Sequence, residues 1–266
     1  MKVIERCSLC PRLCRTACPV ATGAAREAAV PAQIASAVLA WRQGRLPSEA
    51  VRDAVTSCVD CGACQDLCHL HVPLPEALST LRRELGTAPP PPKLVDPEPG
   101  AVLLVVTRDE ESLLPRYQEA VAAAIGEQVG RWRAPENLGE GSLEHRAARR
   151  HLDDVRAMAG GRRVVTAHRG VSRVLGLAGV RCVELWDLVG LTPPVGCGDP
   201  AAPIACCGGR RPFARQHEQD AARMARHWVA REGPCSGLDS RCAAHLRGAG
   251  AQATSLVEAW LEEVAT

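Results

Sequence analysis

Eight of the 14 cysteines fall in two short runs, Cys7-x2-Cys10-x3-Cys14-x3-Cys18-Pro19 and Cys58-x2-Cys61-x2-Cys64-x3-Cys68. Three closely spaced thiolates on a loop can wrap three irons of a 4Fe–4S cube, and the fourth ligand arrives from elsewhere. Where two such runs occur together, the fourth cysteine of each serves the other's cluster. The expected sets are therefore Cys7, Cys10 and Cys14 with Cys68, and Cys58, Cys61 and Cys64 with Cys18. Zinc also takes four cysteines, but usually from two C-x2-C pairs separated by a longer loop. Disulfides need an oxidising compartment, and no secretory pattern precedes Cys7. The expectation is two 4Fe–4S clusters in a cytoplasmic protein.

The 266 residues leave room for one large domain or two ordinary ones. A formal net charge of +2 gives no field that would draw in nucleic acid. No apolar run approaches a membrane span, so no transmembrane segment is expected and the protein is soluble or peripheral. Between the cysteine runs the pattern is helical. Pro31 suits a first helical position, Ile34, Val38 and Trp41 share a face, and Gly44 ends the segment. A shorter helix follows from Pro47, with Val51 and Val55 on one face. Pro75 opens a third, with Leu78, Leu81 and Leu85 aligned and Gly86 closing it. Residues 1–86 read as an all-α unit. The segment 87–100, GTAPPPPKLVDPEPG with Gly86, reads as a semi-rigid polyproline linker.

From 101 the pattern becomes α/β. The near-continuous apolar stretch 101–107 is a strand buried on both faces. A helix through Tyr117, Val121 and Ile125 follows, then a short strand at 129–132, a helix over 142–159, and strands at 163–167 and 180–184. Strand and helix alternate, which argues for parallel pairing. The order at 164–189 is echoed at 237–261, and matching Arg169 with Arg241 sets Gly170 opposite Cys242. The expected fold is α+β overall, with an α/β domain over 101–266 made of modules 101–190 and 191–266. Only the second module keeps its cysteines.

In the first 85 residues the two runs and the helical spacer resemble the alpha-helical ferredoxin family. Its members include the ferredoxin-type component of heterodisulfide reductase and the iron–sulfur subunits of glycolate oxidase and anaerobic glycerol-3-phosphate dehydrogenase. One departure is Cys68-His69-Leu70-His71 where that family carries proline after the last cysteine. His69 and His71 are either a solvated turn or N–H donors to a cluster sulfur.

Adjacent side chains of a regular strand face opposite ways, so Cys206-Cys207 followed by Gly208-Gly209 suits a strand-to-helix turn. A helix bearing His217, Ala221, Met224 and Trp228 follows. This region resembles the cysteine-rich CCG domain found in heterodisulfide reductase and in the iron–sulfur subunit of glycolate oxidase. The resemblance implies a ligand set of Cys197, Cys206, Cys207 and Cys242, with Cys235 as an extra, though Cys197 stands closer to the pair than in that family. A third iron–sulfur cluster, zinc and free redox thiols remain open there, and Cys206 and Cys207 are the candidate catalytic thiols. Cys182 reads as a core residue. Arg210, Arg211, Arg215 and Arg241 form either a solvated basic face or a holder of thiolates.

Together these features describe an electron-transfer subunit of an oxidoreductase complex. By resemblance its partner is a flavin-containing dehydrogenase subunit or another redox protein. A heterodisulfide-type thiol–disulfide reductase and a zinc-binding interaction protein are the rivals. No flavin or nicotinamide site is evident in the chain.

Overall fold

The structure is a computed structural model, and it describes residues 2–10, 13–59, 61, 63–87, 92–134, 146–191, 207, 211–232 and 235–265. Six helices come first: α1 (Lys2–Ser8), α2 (Pro19–Gly23), α3 (Pro31–Arg42), α4 (Ser48–Thr56), α5 (Ala63–Asp66) and α6 (Leu74–Glu84). Then follow β1 (Val102–Val106), α7 (Arg116–Ile125), β2 (Val129–Arg133), α8 (Arg146–Ala159), β3 (Arg163–Thr166), α9 (Arg169–Leu177), β4 (Cys182–Glu184) and α10 (Leu185–Val189). The chain ends with α11 (Arg211–Gln216), α12 (Glu218–Glu232), β5 (Cys235–Leu238), α13 (Ser240–Gly248), β6 (Ala253–Ser255) and α14 (Leu256–Glu263).

The chain divides into two compact units. The first comprises Met1–Pro89, Gly196–Pro234 and His245–Gln252; the second comprises Pro90–Val195, Cys235–Ala244 and Ala253–Thr266. The break at Pro89 falls inside the expected linker. The layout beyond it departs from the expected modules, because 191–266 does not stay with 101–190 as one body.

In the first unit the expected apolar faces meet in one core. Ile34 and Val38 of α3, Val51 and Val55 of α4, and Leu78, Leu81 and Leu85 of α6 or its cap are all buried there, with Ile4 and Cys7 of α1. Pro31 and Pro75 stand in the first turns of α3 and α6, where a missing N–H costs nothing. A second core joins the N-terminal helices to α11 and α12: Val20, Ala24, Ala29 and Val59 pack with Phe213, Ala221 and Met224. The approach is close, since a Cβ on Gly23 would stand 3.3 Å from the Cα of Met224. Arg26 secures the same contact. Its guanidinium donates to Asp220 at 2.7 Å and to Asp53 of α4, and lies 3.0 Å from Nδ1 of His217. The expected single helix through His217 is thus two, α11 and α12, with the His217 ring turned to Thr56 at 3.1 Å.

In the second unit four parallel strands run in the order β2-β1-β3-β4, and β5 pairs with β6 in a separate parallel ladder. Every residue of β1 is buried. Its alternating side chains serve two cores. Val102, Leu104 and Val106 meet Tyr117, Val121, Val257 and Trp260 on one face. Leu103 and Val105 meet Trp132, Val155, Val171 and Leu175 on the other. The segments β3-α9-β4-α10 and β5-α13-β6-α14 share the same order of elements, and Gly170 and Cys242 both stand in a first helical turn.

The segment after the prolines is not a free spacer from Lys93 onward. Leu94 packs on the sheet core, and the Glu98 N–H donates to the Arg131 carbonyl of β2 at 2.8 Å. A Cβ on Gly130 would fall 2.5 Å from the Glu98 carbonyl oxygen and 2.6 Å from that of Pro99, so this edge requires glycine.

Candidate metal centres

Each N-terminal cysteine owes its position to a local turn. Cys7 occupies the buried face of α1, at 7 % exposure. Cys14 lies in a single 3-10 turn, Leu13–Arg15, and Cys18 caps the N-terminus of α2 with Pro19 behind it. Cys58 and Cys61 follow the end of α4, Cys64 lies in α5, and Cys68 closes that short helix through an N–H bond to the Gln65 carbonyl at 3.1 Å. His71 takes a left-handed conformation, φ 46°, with its N–H on the Cys68 carbonyl at 2.8 Å.

These turns deliver the cysteines to two cavities. One is lined by Cys7, Cys10, Cys14 and Cys68, with Cys64, Arg6, Leu67, His69 and Leu70 also on its wall. The other is lined by Cys18, Cys58, Cys61 and Cys64, with Val20, Ile34, Val59 and Leu78 among its apolar residues. Cys64 touches both. His69 therefore lines a cavity, while His71 shapes the turn behind Cys68.

The thiols feel one another. Burial, and after it Cys14, Cys10 and Cys68, push the Cys7 thiol up to about 12. Cys64 is pushed up by burial and then by Cys61, Cys14, Cys18 and Cys7. Cys14 rises through burial and through Cys10, Cys18 and Cys68. At Cys18 burial raises the thiol against the downward pull of the Ala21 and Val20 N–H groups that open α2. Mutual repulsion and burial disfavour these groups as bare thiolates, so a cationic core would stabilise them, and among the described residues no carboxylate lines either cavity to compete for one. The donor set fits an iron–sulfur cluster.

One supporting residue gave no signal in the sequence. Arg82 of α6 is buried and donates to the Val55 carbonyl and to the Cys58 carbonyl, both at 2.8 Å. It places a cation at the C-terminus of α4 and fixes the loop that carries Cys58.

The C-terminal cysteines are less completely placed. Cys197 and Cys206 lie outside the described residues, as does the side chain of Cys235. Cys207 is buried in the first unit, and Cys242, also buried, belongs to the second. Cys182 opens β4 and packs on the sheet core as expected, its thiol pushed up to about 11, mainly by burial. Arg241 does not join a basic face. Its guanidinium is largely buried and stands 3.5 Å from Asp109. Arg210 is outside the described residues. Among the described residues, no group of three or more histidine, cysteine or acidic side chains is set for a single metal ion.

A further cluster of polar side chains lies at the C-terminal ends of β1 and β3, where the sheet order reverses. His168 is fully buried between Glu110, 3.0 Å from Nε2, and Asp239, 2.9 Å from Nδ1. Thr107 and Ser240 complete the partners of Glu110, and the Thr107 N–H donates to it at 3.0 Å. Burial pulls the His168 pKa down, but the carboxylates of Glu110 and Asp239 more than reverse this and raise it to about 10.

Helix-braced cysteine loops facing two cavities define a ferredoxin-like iron–sulfur protein. Residues 3–72 match the family model of the 4Fe-4S dicluster domain, which supports 4Fe–4S binding and an electron-transfer role. Neither the curated proteins nor the solved structures provide a match to the chain. Among the described residues no helix is long and apolar enough to cross a membrane.

Proposed function

We propose that the protein is a relay subunit of an oxidoreductase complex. It carries single electrons through two 4Fe–4S clusters to or from the Cys206–Cys207 motif. The observation that carries this reading is the crossed lining of the two cavities: the first joins Cys7, Cys10 and Cys14 to Cys68 and Cys64 of the other run, and the second joins Cys58, Cys61 and Cys64 to Cys18. Cys7, Cys10, Cys14 and Cys68 would hold one cluster, and Cys18, Cys58, Cys61 and Cys64 the other. When bound, each cluster supplies one-electron storage at a potential tuned by its surroundings.

The residues around the cavities divide the work. Cys64 lies on both walls, which keeps the two centres adjacent. Cys18 and Cys61 pack against the buried cluster that contains Phe213 and Met224. Phe213 belongs to α11, which begins four residues after Cys207 in the chain. The partner on this reading is a flavin-containing dehydrogenase subunit, as in the families that the sequence resembles. Anaerobic reconstitution should give about eight irons and eight sulfides per chain. Four or fewer irons, with zinc making up the difference, would overturn the reading.

A further inference from the structure

Two histidines follow Cys68, and the structure separates their roles. The Cys68 carbonyl accepts the His71 N–H at 2.8 Å, with His71 in the left-handed conformation at φ 46°. On the other side the Cys68 N–H is tied to the Gln65 carbonyl at 3.1 Å. The turn 68–71 is thus closed on Cys68 itself, and His69 stands within it, one residue from a cluster ligand. His69 lines the cavity of Cys7, Cys10, Cys14 and Cys68, and His71 is not on that wall. The two cavities also differ in what else lines them. Among the described residues, the second wall beyond its cysteines is proline, valine, alanine, isoleucine and leucine throughout, with no side-chain donor. On the first wall, Arg6 and His69 carry the only side-chain N–H groups other than thiols. Arg82 donates to the Val55 and Cys58 carbonyls and does not line the second cavity.

Reduction adds negative charge to a cluster, so an N–H donor to one of its sulfurs favours the reduced form and raises the potential. The two donors on the first wall would act differently. Arg6 is exposed on α1, and its charge is screened by salt. His69 is held on a turn closed by backbone bonds, so its ring acts as a directed donor. We infer that His69 is the tuning residue of the Cys7–Cys10–Cys14–Cys68 centre, holding its potential up through a ring N–H presented to a cluster sulfur. The step it biases moves one electron from the donor onto the oxidised cluster, and His69 keeps its proton throughout. The inference rests on the cluster reading above and adds to it the residue that sets one centre apart from the other.

The reconstituted full chain is titrated anaerobically with dithionite and mediator dyes at one fixed pH. Each centre is followed by electron paramagnetic resonance, the first being the signal that Cys68→Ser alters. His69→Leu should make the first centre about tenfold harder to reduce, the low end for an outer-shell partner, because His69 is exposed and water replaces part of the lost bond. For one electron that is about 59 mV. The second centre should not move. His69→Gln keeps an N–H donor and should recover at least half of the shift. His71→Asn tolerates the left-handed turn and should titrate as wild type does. Arg6→Gln should shift the first centre less, and only at low salt. With isotopically labelled histidine, the reduced first centre should show a ring-nitrogen coupling in pulsed measurements that His69→Gln abolishes. The proposal is overturned if His69→Leu titrates within twofold of wild type, about 18 mV. It is equally overturned if His69→Gln, His71→Asn or Arg6→Gln shifts the centre as far as His69→Leu does. A wild-type coupling that is missing, or that survives in His69→Gln, also overturns it, and this readout decides even if His69→Leu fails to hold its cluster. Failure of the cluster reading would show differently, as wild-type protein without a visible iron–sulfur band.

Discussion

Replacing His168 with glutamine should lower the melting temperature of the second unit by on the order of 10 °C. The imidazolium is fully buried and donates from both ring nitrogens, to Glu110 and to Asp239. Glutamine retains a donor but loses the charge, so the buried Glu110 carboxylate is left without its counter-ion. Breaking a buried pair in this way costs about 3–5 kcal/mol. The pKa change points to a similar size: a rise from 6.5 to about 10 corresponds by linkage to roughly 5 kcal/mol at most. At about 2–4 °C per kcal/mol the loss is readily measured. Trp132, Trp186 and Trp260 lie in this unit, and their fluorescence reports its unfolding under anaerobic heating. The sign with pH follows from the raised pKa. The stabilisation is fully present below pH 6.5 and is lost as pH rises through about 10. The gap between wild type and His168→Gln should therefore be flat below about pH 6 and narrow steadily from there until it closes near pH 10. The double variant Glu110→Gln with His168→Gln should lose less than the sum of the two single changes. Melting of His168→Gln within 2 °C of wild type at pH 7 would refute the ion-pair account, since about 1 kcal/mol already moves a unit of this size that far.

Cys18→Ser should disturb the centre on Cys58, Cys61 and Cys64, and Cys68→Ser the one on Cys7, Cys10 and Cys14. Electron paramagnetic resonance of each reduced variant would show which signal survives. Arg82→Met removes a buried cation beside the Cys58 loop, so the second centre should become harder to reduce in a redox titration while the first is unchanged. Arg26→Met should cost about 2 kcal/mol, the scale of charged hydrogen bonds lost, and should expose α12 to early proteolysis. Gly130→Ala should destabilise the β2 edge by about 2 kcal/mol or more, because the facing atoms are backbone and cannot turn aside; chemical unfolding of the full chain measures it.

The N-terminal unit was legible because its signals are local. Cysteine spacing, the prolines of α3 and α6 and the 3.6-residue face of Ile34 and Val38 each need only a few neighbours to be read. The β-α alternation of 101–190 was legible for the same reason. What α12 covers was not. Its apolar face reads as amphipathic helix whatever it packs on, and its tie to the N-terminus is an Arg26–Asp220 bond across 194 residues. His168 carries no mark in the sequence either, since its carboxylates come from positions 58 residues before and 71 residues after it, the latter joined at 2.9 Å. The polyproline segment was read as a spacer because proline composition predicts stiffness, whereas its docking on β2 depends on Gly130.

The return of α11 and α12 to the first unit also sets an order of assembly. A ribosome that has just released α6 has made all eight N-terminal cysteines but not Phe213 or Met224. At roughly 5–20 residues per second, about 6–28 seconds pass before that cover exists. During this interval the Cys18 and Cys61 side of the second cavity lies bare. Iron and sulfide can reach it then, and so can oxygen. Once α12 closes, a cluster lost from that side is not easily replaced without first loosening the helix.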